Sequence, residues 1–131
     1  MAGVVIPVAK ALYLCEEVDT EGGLTNLYGL FKQLRASAFP YVRDEFVVFA
    51  QLLGGLGEMT VHLDVRRAAD GRLVHPSVPR TVHILRRTQL VQISVRLEGV
   101  LFDQPSVYLV ELYCDNVWVA DVSFEVLEDR P

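Results

Sequence analysis

Nucleophilic catalysis needs a serine, cysteine or threonine beside a base. The thiols in this chain are Cys15 and Cys114, and the imidazoles are His62, His75 and His83. No G-x-S-x-G stretch and no cysteine-protease signature surrounds any of them. Metal binding needs converging ligands, and here the best pair is His62 and Asp64, at i and i+2 on one face of a strand. His75 and His83 would join them only if the intervening hairpin folds back, and no third ligand stands at motif spacing. Asp103, Asp115 and Asn116 are loop residues of the kind that hold calcium, but the D-x-D spacing is missing and turn chemistry accounts for Asp115-Asn116. Gly54-Gly-Leu-Gly57 lacks the lysine and serine of a phosphate loop and reads as a turn. No catalytic, cofactor or metal residue is therefore assigned.

Charge is the strongest nonrandom feature. The net charge is −5, spread unevenly. Residues 1–61 carry −3, residues 62–96 carry +5 through seven arginines, and residues 97–131 carry −7. Arg66-Arg67 and Arg86-Arg87 would form one interaction patch if the strands around 59–67 and 81–87 pair. A basic patch can hold nucleic acid, yet the chain as a whole is acidic and aromatic residues do not interleave with these arginines. Plain solvated charge accounts for them most simply, and the functional use favoured over nucleic acid is a salt-bridged contact with the acidic C-terminal third, within one chain or between two.

Elements that would position these groups follow from period-2 patterning. Val8–Glu16 alternates with both faces apolar. Asp19–Gly23 reads as a turn, and Leu24–Leu34 as a second strand whose tail, Phe31–Arg35, has a helical turn as its alternative. Phe39-Pro40 reads as a crossing between sheets, because the residue before proline favours extended backbone. Phe46–Leu53 is a continuous apolar run, as for a strand buried on both faces. Met59–Arg67 alternates, with Met59, Val61, Leu63 and Val65 inward. Asp70-Gly71 is a hairpin turn leading to Leu73-Val74, and two prolines at 76 and 79 mark an edge or a loop. Thr81–Leu85, Leu90–Glu98, Ser106–Cys114 and Val117–Leu127 complete the set, the last two joined at Asp115-Asn116. The expected core contains Leu12, Leu14, Leu27, Phe31, Val48, Val61, Leu63, Ile93, Val95, Leu109 and Trp118. About eight strands with regular turns point to an all-β fold, a two-sheet antiparallel β-sandwich, immunoglobulin-like or similar.

The 131 residues fit one domain, residues 1–131, with a core large enough to fold without metal or disulfide. Hydrophobic residues make up 51%, which fits either a valine- and leucine-rich sheet protein or a buried interface. The longest uncharged stretch, Phe46–Gly57, is too short to span a bilayer. The start at Met1 lacks a basic leader region, so a cytoplasmic location is expected. Two cysteines 99 positions apart, outside any C-x-x-C pair, read as buried free thiols.

Several stretches in order carry a resemblance: Ala9-Lys-Ala-Leu-Tyr-Leu-Cys-Glu-Glu17, Glu21-Gly-Gly-Leu-Thr-Asn-Leu-Tyr-Gly-Leu-Phe31, Ser37-Ala-Phe-Pro40 and Phe46-Val-Val-Phe-Ala-Gln-Leu-Leu-Gly-Gly55. Over residues 8–127 the chain resembles a family of small bacterial proteins of unknown function. That resemblance implies a β-sandwich and a bacterial origin, and it brings no activity with it.

The resulting expectation is a non-enzymatic interaction or structural module. It would bind a protein partner, with homodimerisation as one form, through an exposed strand edge or an apolar sheet face. A small-ligand or metal-binding protein or enzyme with an unrecognised site is the alternative, and nucleic-acid binding through the arginines is third. No membrane association and no cofactor are expected.

Overall fold

The computed structural model describes residues 3–129. The start at Met1-Ala2, used in the leader reading, and Arg130, used in the charge count, lie outside these residues. Eleven strands follow in order: β1 (Val8–Cys15), β2 (Glu17–Glu21), β3 (Leu24–Tyr28), β4 (Gln33–Ala36), β5 (Tyr41–Leu53), β6 (Gly57–Arg67), β7 (Leu73–Pro76), β8 (Arg80–Ile84), β9 (Val91–Phe102), β10 (Ser106–Cys114) and β11 (Val117–Glu128). The described residues form an all-β structure without a helix.

Three hydrogen-bonded sheets result. The smaller main sheet has the order β1-β5-β9, and the larger runs β4-β11-β10-β6, with β7 and β8 both pairing the far side of β6. The hairpin β2-β3 forms the third. Two expectations need correction. There are eleven strands and not about eight, because Asp19–Gly23 is the end of a strand plus its turn, and Leu24–Leu34 breaks at Gly29 into β3 and β4. The pairing is not wholly antiparallel either, since β4 runs parallel to β11. The alternative of a helical turn at Phe31–Arg35 is overturned, for Gln33–Ala36 pairs with Glu125–Glu128. Phe39-Pro40 does join a strand of one sheet to a strand of the other, with a cis peptide bond.

Burial follows the alternation. Met59, Val61, Leu63 and Val65 are all buried, and so is the continuous run Phe46–Ala50 of β5. That run is shielded on its outer side by β2-β3, which ties down through a Thr25–Gln92 hydrogen bond of 2.8 Å and a Glu17–Arg96 ion pair of 2.7 Å. On the inner side, Phe46 and Phe102 of the smaller sheet meet Phe124 of the larger one, with ring centroids 6.2 and 5.8 Å apart. Residues of both main sheets thus share one hydrophobic cluster.

Of the expected core, Leu14, Val48, Val61, Leu63 and Ile93 are buried, while Leu12, Phe31 and Val95 pack against the cluster half-buried. Leu27 lies in the β2-β3 hairpin, outside the cluster. Leu109 is on the outer face, because β10 is apolar in both phases and the buried phase is Tyr108, Val110, Leu112 and Cys114. Trp118 is 54% exposed. Its even number matches buried Phe124 and Val126, but a bulge makes Leu112 face Ala120 while Tyr113 faces Trp118. One inserted residue sends every side chain beyond it to the other face.

Candidate interaction surface

The strands around 59–67 and 81–87 do pair, yet the four arginines do not meet. In the antiparallel register Gly57 faces Ile84, so Arg86 and Arg87 lie beyond the start of β6. Arg66 and Arg67 lie at its other end, nine or ten residues along the strand, about 30 Å away at the usual rise. The expected single patch is corrected to two separate pairs.

The Arg66–Arg67 end is internally neutralised. Arg66 Nε donates to Glu111 Oε1 at 2.7 Å, Nη2 to Asp64 Oδ2 at 3.1 Å, and Nη1 to the Gly71 carbonyl at 3.1 Å. Tyr113 Oη donates to the same Glu111 oxygen at 3.1 Å. Arg67, whose side chain is 12% exposed, pairs with Asp70 at 2.7 Å and Asp103 at 3.3 Å, and Arg72 shares Asp103. The hydrogen bond from Arg67, supported by the Arg72 amide, holds the Asp70 carboxyl down at about 2. Since Asp103 and Glu111 belong to the acidic third, the salt-bridged contact expected from the charge layout occurs here within one chain.

The Arg86–Arg87 end is built differently. Gln89 turns the loop by donating its amide to the Arg86 carbonyl and accepting the Leu85 amide on Oε1, each at 3.0 Å. Gly54 clamps it: its amide donates to the Arg87 carbonyl, and its carbonyl accepts from Arg87 Nε, each at 3.2 Å. Gly54 has φ 83°, which glycine adopts without strain. At Gly55 a Cβ would come within 2.8 Å of Ile84 Cδ1 and 2.9 Å of Pro7 Cβ. The glycine run therefore seats this turn, as a turn reading requires. Among the described residues Arg80, Arg86 and Arg87 have no acidic partner. Leu85 is 80% exposed and Val78 86%.

The residues weighed for catalysis are committed elsewhere. His62 stacks on Tyr113, with centroids 4.9 Å apart and rings 5° from parallel, and Asp64 belongs to Arg66. His75 faces Val65 and His83 faces Glu58 across β6, so about 23 Å of strand separates them and the hairpin does not bring them together. Asp115 Oδ1 accepts the Thr60 amide at 2.8 Å, and Asp115 and Asn116 take φ of 48° and 62°, as a two-residue hairpin turn demands. Among the described residues no three His, Cys, Asp or Glu side chains are grouped to hold a metal ion. Both cysteines are buried and free. Cys15 Sγ donates to the Val47 carbonyl at 3.7 Å, and burial, then Asp115, pushes the Cys114 thiol up to about 11. Burial disfavours the thiolate, the reactive form. No described helix is long and apolar enough to cross a membrane.

Two concavities escaped the sequence reading. An open cleft of about 510 Å³ is lined by Glu16, Glu17, Tyr41, Arg43 and Asp44. An apolar groove of about 360 Å³ lies between β1 and the Leu30–Lys32 segment, floored by Val122. The chain's two lysines, Lys10 on β1 and Lys32 in the groove wall, were the available signal in an otherwise arginine-based set of cations.

The backbone is similar to part of a β-glucosidase from Listeria innocua solved with isofagomine: 11% identity and TM-score 0.51, over 91% of this chain and 16% of that one. A β-glucosidase from Kluyveromyces marxianus matches at 14% identity and TM-score 0.44, over 76% and 15% of the two chains. The sensor domain of the anti-sigma factor RsgI4 in Pseudobacteroides cellulosolvens matches at 9% identity and TM-score 0.40, over 97% and 95%. The chain thus spans about a sixth of the Listeria enzyme, and at this identity the likeness concerns the fold alone. The search of curated protein sequences returns no match. Residues 10–127 match a described family of unknown function, DUF6941, and the chain belongs to that family.

Proposed function

We propose that this chain is a β-sandwich interaction module without catalysis of its own, and that the Arg86–Arg87 turn is its docking surface for an acidic protein surface. The ring contacts between the two main sheets support the sandwich. The observation that carries the docking surface is the turn itself: two arginines without an acidic partner among the described residues, beside an 80% exposed leucine, on a loop clamped at both backbone groups of Gly54. Charged groups steer the encounter and fix register, while buried apolar area supplies affinity. Two buried free thiols fit a reducing compartment such as the cytoplasm.

A second copy is the first partner to test. The outer face of β11 offers exposed Asp121 and Glu125, which take part in no described ion pair, beside exposed Trp118. Closed two-fold dimers are the commonest arrangement for such a contact. Light scattering at micromolar concentration is expected to give twice 14.7 kDa. Arg86→Glu with Arg87→Glu is expected to weaken association more at low salt than at high salt, because exposed charges are screened beyond about 10 Å at 0.1 M. A monomer at every concentration removes the second copy as partner.

A further inference from the structure

Among the described residues β1 is an edge strand paired with β5 alone. Its two ends differ. At the C-terminal end the Leu14 carbonyl accepts the Phe31 amide at 3.0 Å, and the Glu16 amide donates to the Tyr28 carbonyl at 2.9 Å, so the β3–β4 connection covers that part of the edge. Those bonds also fix the phase. Even-numbered residues here point their backbone groups away from β5, because directions alternate along an antiparallel strand. The Leu12 amide and carbonyl therefore face outward, and no strand receives them.

The facing element is equally incomplete. β11 is joined by β4 only along Glu125–Glu128, so among the described residues 117–124 have a hydrogen-bonded strand partner on one side alone, while β1 passes close to β11 without pairing. The apolar groove lies in this seam between the two sheets, with Leu12, Leu14, Leu30, Phe31 and Val122 around it. Leu30 is 58% exposed. A groove with an apolar floor and an unpaired strand edge as one wall fits an extended segment, which pairs its own backbone with the edge and drops alternate side chains inward.

Charge selects the segment. Lys10 is the exposed residue at the bulge between Ala9 and Ala11 on the same edge strand, outside the groove lining, and Lys32 lines the opposite wall. Neither makes an ion pair among the described residues, although the chain carries a net charge of −5. We propose that the free edge of β1 binds an extended segment of another protein, alternating apolar and acidic residues, by strand addition at Leu12 with its carboxylates on Lys10 and Lys32. This site is separate from the arginine turn and does not depend on it.

The test uses the full chain and a synthetic peptide of alternating valine and glutamate, with a valine–lysine peptide as counterpart. The expected result is binding of the acidic peptide alone, with slowed hydrogen exchange at the Leu12 amide. Lys10→Glu with Lys32→Glu is expected to weaken binding at least about tenfold, because two attractive charge contacts become repulsive. Leu12→Pro removes the outward donor while leaving the β5-facing groups of Ala11 and Tyr13 in place, and is expected to abolish binding. Since that proline can also perturb folding, the lysine reversals carry the decision independently. Equal binding of both peptides, binding unchanged by the lysine reversals, or no binding overturns the proposal. So does an acidic peptide that protects the Arg86–Arg87 turn instead of Leu12. Protection of Leu12 on self-association without peptide shows a second copy to be the occupant, and overturns the foreign segment.

Discussion

Arg66-Arg67 and Arg86-Arg87 look alike in the sequence and differ in almost everything else. Arg66 and Arg67 sit on strand β6, where the neighbouring strand and loops bring Asp64, Glu111, Asp70 and Asp103 within 3.3 Å. Arg86 and Arg87 sit on a two-bond turn, and the atoms nearest the Arg87 guanidinium belong to the backbone of Gly54. The register of β10 against β6 decides this. Glu111 faces Asp64, so two carboxylates meet across the strands and Arg66 bridges both. At the Gly54–Gly57 end the nearby Glu58 faces His83 across the strands, and among the described residues no acid pairs with Arg86 or Arg87. A charge count by segment therefore describes the chain, whereas the sheet decides which charges remain for a partner. Arginines consumed inside the fold hold loops, and arginines left over are available for recognition.

The largest expected effect asks whether the two ends belong to one cooperative unit. Phe124 touches Phe31, Phe46, Phe102 and Tyr108, and so links the sheets beneath the Arg66–Arg67 end, where Tyr108 faces Arg67. Phe124→Ala is expected to cost about 3–5 kcal/mol. Urea unfolding followed by amide exchange at Arg67 and at Gly54 should shift by the same amount. Separate transitions at the two amides would mean that the ends unfold independently.

A smaller effect should strike only the arginine turn. Gly55→Val places side-chain atoms against buried Ile84 and against Pro7, where a Cβ alone already lies at 2.8 and 2.9 Å. Overpacking of this kind costs about 1–3 kcal/mol. Loss of the turn's association with Arg66 and Arg67 pairing intact, read from exchange at Gly54 and Arg67, would sharpen the contrast. Equal loosening at both amides would break it.

Acid should do the reverse. The folded Asp70 carboxyl titrates at about 2, below its ordinary 3.8. A depressed carboxyl contributes stability that is fully present above the ordinary value and is lost as pH falls through the folded one. Between about pH 4 and 2 the Arg67–Asp70 link should therefore weaken. Comparing the melting temperature of the chain with that of Asp70→Asn across this window should show the difference between them shrink towards the acid end. A difference undiminished at pH 2 would remove the ion pair as its cause.

Much of this was legible in the sequence, and the failures share one cause. Met59–Arg67 could be read inward and outward residue by residue, because one phase is apolar and the other polar. Asp115-Asn116 announced its turn, since these residues accept the left-handed conformation that the turn requires. Leu109 was misplaced because both phases of β10 are apolar, and Trp118 because a bulge is invisible to a strict period of two. The arginine patch failed for a related reason. The two strands do pair, which was the condition for the patch, but position along the strand depends on register, and register is fixed by neighbours far away in the chain. The groove beside Leu12 depends on the ends of β4 and β11 together, which no local pattern reports.

The smallest effect separates charge from geometry at the arginine turn. Arg87→Lys keeps the positive charge and the backbone carbonyl that accepts the Gly54 amide, but removes the Nε that donates to the Gly54 carbonyl. The lost hydrogen bond has a charged donor, but at this exposed site solvent screens most of its strength. Stability should thus change little, by about 0.5–1 kcal/mol. Association answers the sharper question. Lysine is a point charge on a flexible stem, while arginine is a planar fork here pinned by its own loop. If the turn acts only by charge, Arg87→Lys should associate as the unmodified chain does and keep the same salt dependence. If the clamp on Gly54 orients the fork toward a carboxylate, association should weaken at all salt concentrations, with Arg86→Lys as the control that lacks the clamp. An Arg86→Lys defect as large as that of Arg87→Lys would show that the clamp contributes nothing to recognition.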